Sequence, residues 1–81
     1  MRREFLAELF TEVDDRDGRS ALVQRARKAA EQSADVRFVR CIFVPDDEMC
    51  FLVFEAKSAA AVADLAERAE LPIDRVVLAE L

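Results

Sequence analysis

From Glu4 to Thr11 the chain alternates, with Phe5, Ala7 and Leu9 on one side and Glu4, Leu6, Glu8 and Phe10 on the other. A period of two predicts a strand with one wholly apolar face and one mixed face. The stretch EVDDRDGRS that follows holds the only glycine and a cluster of acids. It reads as a loop running into a helix whose first turn carries Asp, where the helix dipole favours negative charge. Between Arg19 and Ser33 the period changes. Leu22, Ala26, Ala29 and Ser33 recur at helical spacing, flanked by Val23 and Ala30, while Arg25, Arg27, Lys28 and Glu31 stand opposite. This is an amphipathic helix with a thin, alanine-rich buried face.

The run VRFVRCIFVPDDEMCFLVFEA places two Val-, Ile- and Phe-rich segments around Pro45-Asp46-Asp47-Glu48, a turn composition, and so predicts a β-hairpin. With those four residues as the loop, Val44 pairs with Met49, Ile42 with Phe51 and Arg40 with Val53. Val39, Cys41, Phe43, Cys50, Leu52 and Phe54 then share one face, and Phe38, Arg40, Ile42, Phe51, Val53 and Glu55 the other. A slip of one residue would exchange the faces of one strand. Ser58 is placed to cap a second helix, in which Val62, Leu65, Ala66 and Ala69 follow the i, i+3, i+4, i+7 pattern. Pro72 ends it, and Ile73 to Leu81 reads as a final strand.

The order strand, helix, strand, strand, helix, strand predicts an α+β, ferredoxin-like βαββαβ fold as a single domain over residues 1–81, with a four-stranded antiparallel sheet and two helices on one face. Right-handed crossovers put the first and third strands in the centre. The helix-facing core is expected to be Phe5, Ala7, Leu9, Val39, Cys41, Phe43, Cys50, Leu52 and Phe54. The other face then shows Leu6, Phe10, Phe38, Ile42, Phe51 and Val53 to water, over roughly 400 Å² for four strands of six residues. That is about as large an apolar patch as a monomer usually exposes. A second copy laid sheet against sheet covers it, so an isologous homodimer is expected. Glu8, Arg40 and Glu55 interrupt this face, with Arg40 diagonal to Glu55 and Glu8 within reach. They form either an internal salt-bridge network or the polar group of an aromatic-walled ligand cavity. The candidate ligand-binding residues are therefore Glu8, Phe10, Phe38, Arg40, Phe51 and Glu55.

Composition narrows the chemistry. The 81 residues are 53% hydrophobic with one Gly and two Pro, which favours a folded chain over a disordered one. A net charge of −5 argues against nucleic acid and against an anionic membrane surface as partners. The apolar runs are too short to span a bilayer. Glu4 and Glu8 interrupt what would be the apolar segment of a signal peptide after Met1-Arg2-Arg3, so a cytoplasmic location is expected. The chain has no His, Tyr, Trp or Asn. Triads built on His cannot be assembled from it, and the commonest metal ligand is missing. Cys41 and Cys50 lack CxxC spacing and read as small core hydrophobes, with a redox pair or soft-metal site as the alternative. Their diagonal placement on the hairpin is unfavourable for a disulfide. Asp15, Asp17 and Gly18 suit the middle of a calcium loop, but Val13 and Gln24 would occupy its first and last positions, and the match fails.

The run FVRCIFVPDDEMCFLVFEAKSAAAVADLAERAELPIDRVV resembles the domain of unknown function numbered 4242 (DUF4242), a set of small bacterial proteins that includes nickel-binding, nickel-responsive members. With the opening FLAELF strand the resemblance covers essentially the whole chain. Its most specific parts are VPDDEMCF, the FEA-x-SA-x-AV entry to the second helix and the LPIDRV approach to the last strand. The resemblance implies a ferredoxin-like fold and a dimer, and it raises nickel as a cofactor. Nickel binding in those members depends on His-rich positions, which this chain lacks, so no ligand residue is carried over and no cofactor is predicted. The expected function is a non-catalytic dimeric module that binds a small ligand or partner at the open sheet face. The alternatives are a cofactor-independent dimeric α/β-barrel enzyme of the monooxygenase, cyclase or isomerase type, using Arg40 with Glu55 or Glu8, and a divalent-metal binder. A site made of carboxylates alone would favour magnesium, calcium or manganese over nickel.

Overall fold

The computed structural model describes residues 2–12 and 14–80. Met1, Val13 and Leu81 lie outside them, and with them the start of the chain, the first position of the rejected calcium loop and the last residue of the predicted final strand. The elements are β1 (Arg3–Phe10), α1 (Arg16–Glu31), β2 (Val36–Val44), a 3₁₀ turn at Pro45–Asp47, β3 (Met49–Ala56), α2 (Ala59–Arg68) and β4 (Arg75–Leu78). The strands form an antiparallel sheet in the order β2-β3-β1-β4, with β1 and β3 central as expected. Phe5, Ala7, Leu9, Leu52 and Phe54 from the sheet meet Ala26 and Ala30 of α1 and Val62, Leu65 and Ala66 of α2 in one core. The shortest dimension of the molecule is 17 Å. That suits one helix layer on one sheet layer, and leaves the second sheet face bare. Among the described residues no helix is long and apolar enough to cross a membrane.

Local chemistry sets the helix ends. The Asp15 carboxylate caps α1 by accepting from the Gly18 N–H at 2.9 Å, so the helix begins a turn earlier than the apolar spacing alone predicts. A Cβ on residue 18 would collide with that carboxylate, which explains the glycine. Ser58 caps α2 as expected, its Oγ accepting from the Ala61 N–H at 3.2 Å. At the far end of α2 the Glu70 N–H reaches Glu67 O at 3.1 Å and the Leu71 N–H reaches Ala66 O at 2.9 Å. This is a Schellman closure, with buried Leu71 as its apolar contact and Glu70 in the left-handed region at φ 56°. β4 is only four residues long, because the turn through Pro72 holds the chain until Asp74, whose N–H bonds to Glu8 O at 2.8 Å.

The hairpin register departs from expectation in one place. Arg40↔Val53, Ile42↔Phe51 and Val44↔Met49 pair as predicted, but a bulge lies between Phe38 and Arg40. Beyond it Phe38 pairs with Phe54, Arg37 with Glu55 and Val36 with Ala56. The extra residue in β2 reverses the alternation. Phe38 therefore lies on the helix side, packed against the core, and not on the open face with the other candidate residues. Val39, expected in the core, is displaced into the bulge and is half-buried.

Candidate functional site: the open sheet face

Pairing across the strands resolves the open face into rows. The first is Glu4–Glu55–Arg37, the second Val77–Leu6–Val53–Arg40, the third Arg75–Glu8–Phe51–Ile42 and the fourth Phe10–Met49–Val44. The central strands carry Leu6, Phe10, Phe51 and Val53 together with the carboxylates Glu4, Glu8 and Glu55, and cations stand at both edges. Phe10 is 58% exposed and Ile42 41% exposed. The accessible surface of 5418 Å² exceeds the roughly 4,900 Å² typical of a folded monomer of this mass, in the direction that an uncovered face requires. Val53, expected to be exposed here, is buried at 1% although it stands apart from the helix-side core. It lies between its register partners Leu6 and Arg40.

The three charges expected to converge do not meet. Glu8 accepts from Arg75 Nε at 2.9 Å, and Glu55 accepts from Arg37 Nη2 at 3.1 Å. Arg40 makes no ion pair or hydrogen bond among the described residues. The bulge explains the difference, since it advances Arg37 to the position opposite Glu55 that the uninterrupted register would have given to a neighbour. Arg37 and Arg75 are thus members of the charge pattern that the sequence reading missed. Arg75 was findable, because an arginine within the alternating β4 segment must face one side or the other, but only with the β1–β4 register in hand.

Arg40 borders a shallow hollow of about 550 Å³, whose walls include Glu4, Leu6, Ile42, Val53 and Glu80. Of the six candidate residues, only Arg40 lines it. Phe10, Phe51 and Glu8 lie on the same face in neighbouring rows, Glu55 lies in the row beyond, and Phe38 is on the opposite side. An unpaired guanidinium beside Leu6, Ile42 and Val53 can bind a carboxylate or phosphate through two parallel N–H donors while the apolar part of the ligand rests on the sheet.

On the helix side, Cys41 and Cys50 are free thiols whose sulfurs lie 3.0 Å apart. Their positions are diagonal, as expected, with Cys41 opposite Leu52 and Cys50 opposite Phe43. No disulfide joins them, yet the two side chains turn toward each other. Burial, and then contact with Cys41, push the Cys50 thiol up to about 12, while the Arg19 guanidinium acts in the opposite direction.

Residues 4–78 match the family described as nickel responsive protein SCO4226-like. The chain belongs to this family. The crystal structure of SCO4226 from Streptomyces coelicolor A3(2) superposes with a TM-score of 0.77 at 24% identity, covering 96% of each chain. That likeness establishes the shared ferredoxin-like fold. No curated protein matches the chain. Nickel responsiveness in the family description invites a search for ligands in this SCO4226-like chain. Among the described residues no three of His, Cys, Asp and Glu gather to hold a metal ion, and the chain has no His at all. The residues of one chain therefore do not fit a nickel centre.

Proposed function

We propose that this protein is a non-catalytic binding module that pairs through its bare sheet face and holds a small organic anion beside Arg40. The observation that carries this reading is the unpaired Arg40 guanidinium beside the apolar floor of Leu6, Ile42 and Val53, in a hollow whose walls also carry Arg3, Glu4 and Glu80. A charged group placed against apolar walls is a common form of small-ligand site. A second copy facing the sheet would deepen the hollow and cover Phe10, Ile42 and Phe51. The narrower kinship with the domain of unknown function numbered 4242 rests on VPDDEMCF and LPIDRV, and fits this dimeric role. The enzyme alternative is weaker, because Glu8 is held by Arg75 and Glu55 by Arg37, so neither carboxylate is free to take a proton from a substrate.

Native mass spectrometry of the protein as purified tests both parts together. The expected result is a dimer carrying a small anionic ligand, with Phe51→Glu giving monomer by light scattering and Arg40→Ala losing the ligand while remaining folded. A monomeric wild type, or a dimer indifferent to Phe51→Glu, would remove the sheet-face interface. Nickel is left out of this reading because the residues of one chain do not fit it. Tight, stoichiometric nickel binding by titration calorimetry would reverse that.

A further inference from the structure

We propose that Cys41 and Cys50 form a dithiol redox site, which a hydroperoxide converts to an intramolecular disulfide across the β2–β3 hairpin. The site is on the helix side of the sheet, away from the face assigned to ligand and dimer, so it stands or falls separately from that function. Its basis is geometric. The two sulfurs lie 3.0 Å apart, in direct thiol–thiol hydrogen-bond contact. A disulfide needs about 2.05 Å, so the sulfurs must close by about 1 Å, and because the pair is diagonal the two strands must draw together there as well. The same distance argues against a metal between them, because two thiolates at about 2.3 Å from a tetrahedral ion stand well over 3 Å apart.

The surroundings permit the movement and give the two cysteines different roles. β2 is an edge strand, and its bulge lies two residues before Cys41, where the ladder is already interrupted. Cys41 is half-buried, whereas Cys50 is 1% exposed and sits against Leu9 of β1. Arg19 of α1 lies over the Phe43 ring at 3.8 Å from its centroid, bringing a cation to the same end of the hairpin. Cys41 is accordingly the sulfur that meets the oxidant, and Cys50, held protonated by burial, is the one that resolves the product.

The steps balance. The Cys41 sulfur attacks the terminal oxygen of the hydroperoxide, the O–O bond breaks, and the departing alkoxide takes the thiol proton and leaves as alcohol. Cys41 is then a sulfenic acid. The Cys50 sulfur attacks the Cys41 sulfur, the S–O bond breaks, and hydroxide leaves with the Cys50 proton as water. Two electrons pass from the two thiols to one peroxide, and a small-molecule thiol reductant returns them.

The test uses the reduced wild-type protein with excess hydrogen peroxide, followed by intact mass and thiol counting. The expected result is the loss of both free thiols, a mass lower by two hydrogens, and a peptide linking Cys41 to Cys50 that a dithiol reductant separates. In Cys50→Ser the reaction should stop at a Cys41 sulfenic acid that dimedone captures. Two thiols still free, disulfides only between molecules, or oxygen addition to Cys41 without loss of two hydrogens in the wild type would each overturn the proposal. The wild-type measurement decides even if a variant fails to fold.

Discussion

Phe38 meets Phe54 edge to face, with ring centroids 5.6 Å apart and planes at 73°, and the contact exists because β2 carries an extra residue between Phe38 and Arg40. Without the bulge the ring would point to the open face. The Arg27 guanidinium also lies over the Phe38 ring, 5.4 Å from its centroid. Phe38 is therefore a structural residue, and Phe38→Ala should cost about 2–3 kcal/mol, somewhat below the range for a fully buried Phe because the ring is half-buried. Phe10 is 58% exposed, and Phe10→Ala should change monomer stability by no more than about 0.5 kcal/mol. Urea midpoints for the two variants, each measured in the Phe51→Glu background that is expected to be monomeric, check the contrast. Equal losses would place both rings on the same side of the sheet.

The two ion pairs of the open face should also behave differently. Glu8 is only 13% exposed at its side chain, while its partner Arg75 is 70% exposed. Removing Arg75 leaves a largely enclosed carboxylate without its cation, so Arg75→Ala should cost about 1 kcal/mol, at the top of the range for accessible pairs. Arg37 and Glu55 are more open, at 66% and 29%, and Arg37→Ala should fall within about 0.5 kcal/mol. A double-mutant cycle on Glu8 and Arg75, repeated in high salt, measures the coupling directly. A coupling no larger than that of Arg37 and Glu55 would mean that the burial of Glu8 adds nothing.

The hydrophobic pattern carried the fold further than it carried the site, for a physical reason visible at Val39. Burial of alternate residues sets the strands, and Ser58 marks the start of α2, each a local consequence of residue type, whereas the end of α2 is set ahead of Pro72 by the closure at Glu70 and Leu71. The order β2-β3-β1-β4 follows from the sequence of elements and the handedness of their connections. A bulge leaves a much weaker trace: Phe-Val-Arg is acceptable in either phase, and only packing against Phe54 and Arg27 selects one. The site depended on that phase. Uninterrupted alternation sets Glu55 beside Arg40, whereas the bulge gives it Arg37, and Glu8 bonds Arg75, a residue 67 positions away. The sulfur contact was hidden likewise, since diagonal cross-strand neighbours average about 7–8 Å between backbones and only side-chain direction brings them together.

Glu70 ends α2 in the left-handed region at φ 56°, where a side chain is strained and glycine is not. The bonds that close the helix there run from the Glu70 and Leu71 N–H groups, and the Glu70 carbonyl accepts from Arg25 at 3.0 Å. All of these are main-chain groups of residues 70 and 71 that survive Glu70→Gly. The variant should therefore be more stable by about 1 kcal/mol, with a higher thermal midpoint. Glu70→Val, which keeps a side chain and adds β-branching, should lower the midpoint. Equal midpoints for the two variants would show that the backbone at this position relaxes without cost.

The thiol of Cys50 sets an alkaline limit on stability. Its ordinary value of 9.0 applies to the unfolded chain, and burial first, then contact with Cys41, raise it to about 12 in the fold. Below pH 9.0 both states hold the proton and the group has no effect on the pH slope. Above that, the unfolded state releases its proton first, so the folded state binds more protons and unfolding becomes easier with each increment of pH until about 12. The chain has no Tyr, so thiolate absorbance can be followed in this range without tyrosinate beneath it. The difference between wild type and Cys50→Ser should titrate with a midpoint near 12, and the variant should lose less stability between pH 9 and 11 than the wild type does. A difference curve centred near 9.0 would mean that Cys50 meets water in the folded state.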